Sequence, residues 1–232
     1  MVEHYSPTNF NLPTSTYNHA AIPMKTPTFD YEQQLWQQGF ARVAGIDEAG
    51  RGALAGPVVA AAVMAPVYAE YSGVWARVRD SKLLSGGARE ALVAEIQQSA
   101  LGWAIGKASA EVIDRDNIAV ATRLAMQQAV HGIQPPPDHL LIDWVKLPQL
   151  NIHQLSLTKA DQKIVSVAAA SILAKVYRDR LMVELDAQFP AYGFAQHKGY
   201  GTAAHRAAIA QHGPCAIHRH TFAPIAAPYS LF

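Results

Sequence analysis

The sequence predicts an α/β protein built on a mixed β-sheet flanked by helices. Strand-like runs come first, and helical periodicity alternates with further strands later. Half of the 232 residues are hydrophobic, enough to bury a sizeable core. Two of the apolar runs end on carboxylates, at Asp47 and Asp143, and strand ends of an open α/β sheet are where sites form.

Residues 1–28 are polar and aperiodic and read as a mobile leader. Tyr31-Glu32-Gln33-Gln34-Leu35-Trp36 reads as a short amphipathic helix. Arg42 to Asp47 reads as a strand, and the β-branched and alanine run from Gly56 to Met64 as its hairpin partner. Helical spacing through Ala88, Leu92, Ile96 and Ala100 predicts a helix over Ser85 to Ala100. Leu101 to Lys107 reads as a third strand. Ser109 to Val130 holds helical segments, with Ile118, Thr122, Ala125 and Ala129 on one face. A rigid connector, Gln134-Pro135-Pro136-Pro137-Asp138, feeds the strand His139 to Asp143, and Ile152 to Leu157 is another short strand. Asp161 opens a long helix striped by Ile164, Ala168, Ile172 and Val176, which Phe189-Pro190 stops near Gln188. A glycine-rich stretch, a helix near Thr202 to His212 and a proline-punctuated tail complete the chain.

Composition excludes several classes. No apolar run is long enough to span a bilayer, and no secretory signal pattern opens the chain. The one cysteine, Cys215, excludes an intramolecular disulfide framework. A cytoplasmic protein without a membrane partner is the expectation. The net charge is only +1, but its distribution is uneven. No Asp or Glu follows Asp186, whereas Lys198, Arg206, Arg219 and five histidines do. Such asymmetry suits a polyanion attacked at a metal centre, and equally a solvated basic tail.

The densest segment is Val43-Ala44-Gly45-Ile46-Asp47-Glu48-Ala49-Gly50-Arg51-Gly52. Two adjacent carboxylates suit a hard divalent cation. Neighbours on a regular strand point to opposite faces, so Asp47 and Glu48 share one site only if the strand ends or bulges there. With Asp143 and Asp161 they form a set of four acids. Such a set would suit two Mg²⁺ or Mn²⁺ ions roughly 4 Å apart, as in two-metal phosphodiester chemistry. Singly, each acid has a plainer role: Asp161 as a helix N-cap, Asp143 in a turn, Asp47-Glu48 as a solvated strand end.

Phosphate recognition has its own signals. Gly50, Arg51 and Gly52 form a turn whose N–H groups and guanidinium would hold a backbone phosphate, though without the spacing of a nucleotide-binding P-loop. Ser81 and Lys82 offer a hydroxyl and an ammonium ahead of a helix, with Ser85 as an ordinary N-cap. Ser171 and Lys175 stand four apart on the long helix. They read as a packed turn whose lysine reaches a phosphate rather than as a nucleophile pair. His197, Lys198 and Tyr200 lie in a stretch of aromatics, bases and glycines suited to sugar and phosphate, or to a merely structural loop. His218-Arg219-His220 lacks the second ligand pair a zinc site needs.

Taken in order, these motifs resemble the bacterial ribonuclease HII family. The resemblance rests on Gly45 to Gly52 with Ala55-Gly56-Pro57-Val58-Val59, Asp80-Ser81-Lys82, Leu141-Ile142-Asp143 and Lys159-Ala160-Asp161. It continues through Ala169 to Val176, Tyr192-Gly193-Phe194 and His197 to Thr202. It implies a ribonuclease H-like fold with a C-terminal helical extension over 29–224, and a short tail over 225–232. It implies a monomeric, cytoplasmic endonuclease of ribonucleotide excision repair. The substrates would be RNA–DNA hybrids and duplex DNA with embedded ribonucleotides, and the products 5′-phosphate and 3′-hydroxyl ends. Asp47, Glu48, Asp143 and Asp161 become metal-binding catalytic acids. Gly50, Arg51 and Gly52 become the reader of the scissile junction, and Tyr200 the sensor of the ribose-to-deoxyribose step.

Two positions depart from many relatives, which carry glycine where this chain has Trp144 and Ala160. Pro228-Tyr229-Ser230-Leu231-Phe232 loosely resembles a sliding-clamp peptide, with a disordered end as the alternative. A non-catalytic hybrid-binding module and a small-substrate phosphotransferase are the competing functions. Cleavage of a duplex holding one ribonucleotide separates the first from the enzyme, and hydrolysis of nucleoside triphosphates without nucleic acid would favour the second.

Overall fold

The computed structural model describes residues 26–79, 81 and 84–226. Lys82, most of the expected leader and the Pro228–Phe232 ending lie outside the described residues. The order is α1 (Asp30–Gln37), β1 (Val43–Ala49), β2 (Val58–Met64), α2 (Gly86–Ser99), β3 (Gly102–Ala108), α3 (Ala110–Asp116), α4 (Ile118–Gly132), β4 (His139–Asp143), β5 (His153–Leu157), a 3₁₀ turn (Ala160–Gln162), α5 (Val165–Gln188), α6 (Phe194–His197) and α7 (Ala203–His212).

The five strands form one sheet in the order β3-β2-β1-β4-β5. The early strands pair antiparallel, β1 with β2 across a short connection that allows a hairpin, and β2 with β3 across a longer one that carries α2. β4 adds parallel to β1 and β5 parallel to β4. The strand and helix over 102–132 lie between β2 and β4, so β4 reaches β1 only by a crossover.

Alternation along β1 separates two cores. Val43 and Ala49 face α5 with Val59, Ala61 and Val63. Ala44 and Ile46 face α4 with Ala60, Ala62, Ala125 and Ala129. Each fully buried Ile, Leu or Met contributes about 1.5–3 kcal/mol, so the two faces together hold the sheet rigid. Small residues set the spacing. An added Cβ at Gly45 would overlap the Ser166–Val167 backbone of α5, and one at Gly106 would overlap the Ala125 carbonyl of α4.

Two expectations change. The long helix opens at Val165, not at Asp161. Lys159 takes a left-handed conformation (φ +58°) and Ala160–Gln162 close a 3₁₀ turn. Ile164 is then extended and bridges Thr28, with Thr28 N–H donating to Lys163 O (3.1 Å) and Val165 N–H to Thr28 O (3.2 Å). Thr28, the last residue of the expected leader, is therefore part of the folded unit. Glu32 of α1 accepts from Ser166 N–H at 2.9 Å and satisfies an N-terminal donor of α5. Secondly, β1 neither ends at Asp47 nor bulges, since Asp47, Glu48 and Ala49 keep regular register with Ala61, Ala60 and Val59.

Candidate active site

β4 stops at Asp143 and pairs with β1 only as far as Ile46–Ile142. Beyond that point one edge of β1 is open. Asp47 and Glu48 leave opposite faces of the strand, yet both line one cavity of about 540 Å³ at this open edge. The same cavity is lined by Asp143, Gly50, Arg51, Ser81, Ser171, Lys175 and Tyr200. Strand ends, α5 and the loop after β1 thus meet where the sheet runs out.

Asp47 is 5% exposed. Burial first, then the charges of Glu48 and Asp143, raise its pKa well above the ordinary carboxylate value, while a hydrogen bond from Ser171 opposes them. Ser171 and Ser81 hydroxyls lie 2.9 Å apart, and Arg89 fixes the Ser81 end by donating to the Ser81 and Leu84 carbonyls (2.8 and 2.6 Å). Asp143 accepts from Ala160 N–H at 2.8 Å. Asp161, the next residue, is buried in the 3₁₀ turn and is not among the residues lining the cavity. Glu48 accepts from Trp144 Nε1 (3.1 and 3.3 Å) and lies 3.8 Å from Arg51 Nη1.

Like charges facing one cavity fit a hard divalent cation: the donors are all oxygen, and the burial of Asp47 leaves charge that a cation would compensate. Among the described residues, no three His, Cys, Asp or Glu side chains already stand at metal-ligand spacing.

The turn after β1 is held from below by two buried arginines that sequence inspection passed over. Arg219 donates to the carbonyls of Gly50 and Arg51 (both 2.7 Å) and of Gly56 (3.0 and 2.9 Å). Arg178 of α5 donates to Pro57, Lys198 and Ala55 carbonyls (2.9, 2.9 and 3.0 Å). Its side chain fills the space where a Gly50 Cβ would stand, and Gly50 takes φ +93°. Neither arginine joins an ion pair among the described residues. Burial, then Arg178, pushes the Arg219 pKa down to about 9. The signal for Arg178 was its spacing: Ser171, Ala174, Arg178 and Met182 continue one buried helical stripe.

The remaining expected residues divide. Lys175 bonds Asp179 at 2.8 Å, so no serine–lysine nucleophile pair forms, and its ammonium lies 5.3 Å from the Tyr200 ring centroid. His197 is structural: Nδ1 accepts from Gly199 N–H (3.2 Å), leaving Nε2 to donate to the Tyr192 carbonyl (2.8 Å). Lys198 donates to the Ala195 carbonyl and faces a neighbouring cleft with Arg89, Glu90 and Arg180. Gly52 is in the turn but does not line the cavity. His218 points into a buried contact with His205 (3.0 Å) and Cys215 (3.1 Å), while Arg219 turns to the loop and His220 N–H bonds Asp114. The triplet therefore diverges and makes no zinc site.

Solved structures show the same frame. The ribonuclease H2 from Pyrococcus horikoshii OT3 aligns with TM-score 0.65 over 80% of this chain and 95% of its own, at 24% identity. RNase HII from Archaeoglobus fulgidus, solved in complex with PCNA, aligns with TM-score 0.65 over 77% and 92%, at 28% identity. Bst-RNase HIII, solved with Mn²⁺, is 22% identical with TM-score 0.60, covering 82% and 70%, and bears on the fold alone. Fold and site together define a phosphodiester hydrolase of the ribonuclease H class.

The family model for ribonuclease HII matches residues 44–225. Ribonuclease HII of Herpetosiphon aurantiacus is 54% identical over 197 residues, 84% of this chain and 95% of that protein. Ribonuclease HII of Chloroflexus aurantiacus is 51% identical over 200 residues, covering 86% and 94%. The chain belongs to the ribonuclease HII family.

Proposed function

We propose that this protein is an endoribonuclease that cleaves the RNA strand of RNA–DNA hybrids and cuts at ribonucleotides embedded in duplex DNA, leaving 5′-phosphate and 3′-hydroxyl ends. The observation that supports it most is the convergence of Asp47, Glu48 and Asp143 on one cavity beside Gly50 and Arg51. Those three acids would hold Mg²⁺ or Mn²⁺, with Asp161 behind Asp143. A divalent cation bound there supplies Lewis acidity, lowering the pKa of water and neutralising charge on the phosphodiester oxygens.

The chain's own residues do the rest. The turn at Gly50–Gly52, its carbonyls tied down by Arg219, presents Arg51 to a phosphate. Lys175 and Tyr200 line the same cavity and would meet the sugar–phosphate backbone, Tyr200 the 2′-hydroxyl that distinguishes RNA from DNA. Ser171 holds Asp47. A monomer in the cytoplasm, acting in ribonucleotide excision repair, belongs to the same proposal. The Pro228–Phe232 ending is its candidate contact with a sliding clamp.

Incubation with a duplex holding one ribonucleotide, across a Mg²⁺ and Mn²⁺ titration, tests the proposal. Cleavage at the ribonucleotide or within a hybrid tract is expected only with the metal. D47N abolishes cleavage and leaves hybrid binding largely intact. Full activity of D47N refutes the assignment.

A further inference from the structure

The geometry points to Trp144 as a positioning residue that holds Glu48 and Arg51 in one arrangement. The inference rests on the proposed function and names a part of that site.

Trp144 follows Asp143 directly and takes φ +52°, a left-handed conformation that bulky side chains adopt only when the surroundings impose it. Here the surroundings do so. Trp144 N–H donates to Leu157 O at 3.1 Å and Val145 N–H to Asp143 O at 2.7 Å, so the chain reverses tightly as it leaves β4. The reversal aims the indole back across the open edge of β1.

The ring then makes two contacts of different chemistry. Its Nε1–H donates to both oxygens of Glu48, at 3.1 and 3.3 Å. Its face carries the Arg51 guanidinium, 3.9 Å from the ring centroid. Arg51 Nη1 is itself 3.8 Å from Glu48, so the three side chains form a closed triangle. Without the indole, Arg51 is free to collapse onto Glu48 as a simple ion pair, occupying the acid needed for the cation and the cation needed for phosphate. With it, the guanidinium is held over the ring face and keeps N–H donors for an anion. Glu48 is meanwhile fixed by a neutral donor that leaves its negative charge in place.

Two substitutions separate the contacts. W144F keeps a ring under Arg51 and loses the N–H bond, whereas W144G loses both and relieves the left-handed backbone. Mn²⁺ affinity is measured by calorimetry without nucleic acid, and kcat and KM on a hybrid with Mn²⁺ saturating. W144F should bind Mn²⁺ about 10-fold more weakly, the low end for loss of a hydrogen bond to a metal-ligating group, with KM unchanged. W144G should show the same metal defect and a KM raised about two- to fivefold through lost guanidinium stacking. A general packing defect would lower Tm and move both parameters together in both variants, and that pattern overturns the inference. Wild-type Mn²⁺ affinity in folded W144F overturns it too. If the unaltered enzyme cleaves no hybrid, the proposed function fails, and the Mn²⁺ affinities still judge Trp144 by themselves.

Discussion

Two buried carboxylates show how position decides what burial does to an acid. Asp47 faces a polar cavity with two other acids, and a cation would relieve its desolvation. Glu32 is fully buried at the α1–α5 contact, where desolvation raises its pKa from 4.5 to about 7 despite the Ser166 N–H bond. Between those values the folded chain holds a proton that the unfolded chain has lost. Stability is therefore fully present below pH 4.5, falls as pH rises toward about 7, and is flat beyond. The cost at high pH is on the order of 3 kcal/mol. E32Q keeps an acceptor for Ser166 and removes the titration. Urea unfolding at pH 5 and pH 8 should show the wild type losing stability relative to E32Q at the higher pH; parallel curves would exclude Glu32 as the source.

At the scale of elements, the helix-to-sheet distance is set by glycines. G45A places a methyl against the start of α5, and G106A places one against α4. Each overpacked contact costs about 1–3 kcal/mol or more. Only G45A should also lower activity beyond its loss of stability, because α5 carries Ser171 and Lys175 into the cavity. Thermal melts and cleavage rates of the two variants test that contrast. The strands were legible because each is an apolar run with its own boundaries, and Asp47, Glu48, Asp143 and the glycine–arginine turn stood out as polar residues at their ends. What the sequence hid was long-range. The bridge from Thr28 to Ile164 delays α5 by four residues, and no local propensity encodes it. Strict alternation along β1 made an end or a bulge at Asp47 seem necessary, yet early termination of β4 opens the edge instead. Arg219 counted only toward a basic stretch, since a guanidinium bound by distant carbonyls leaves no local pattern, and Arg178 went unread although its spacing continues the buried stripe of α5. His197 and Lys198 carry the right chemistry for phosphate but spend it on their own loop.

Across the whole molecule, the turn after β1 is tied to regions far apart in the chain. Arg178 reaches it from α5 and Arg219 from the C-terminal segment, each through three or more donated bonds to carbonyls. R219M removes the donors to the Arg51 and Gly56 carbonyls and leaves Gly50 O with only the Ala53 N–H at 3.3 Å. At least about 2 kcal/mol should be lost, a fall in Tm of roughly 4–8 °C for a chain of this size, together with a higher KM for hybrid. An unchanged melting curve would show that the loop holds itself. The two guanidinium groups have another effect, felt outside the protein. Bulk ions reach exposed lysines and mask them within about a Debye length, but they do not reach Arg178 or Arg219 beneath the turn. Once a phosphate is docked on the turn, their attraction for it should fall off less with salt than that of exposed lysines, and hybrid affinity measured across a NaCl series for the wild type and R219M checks this.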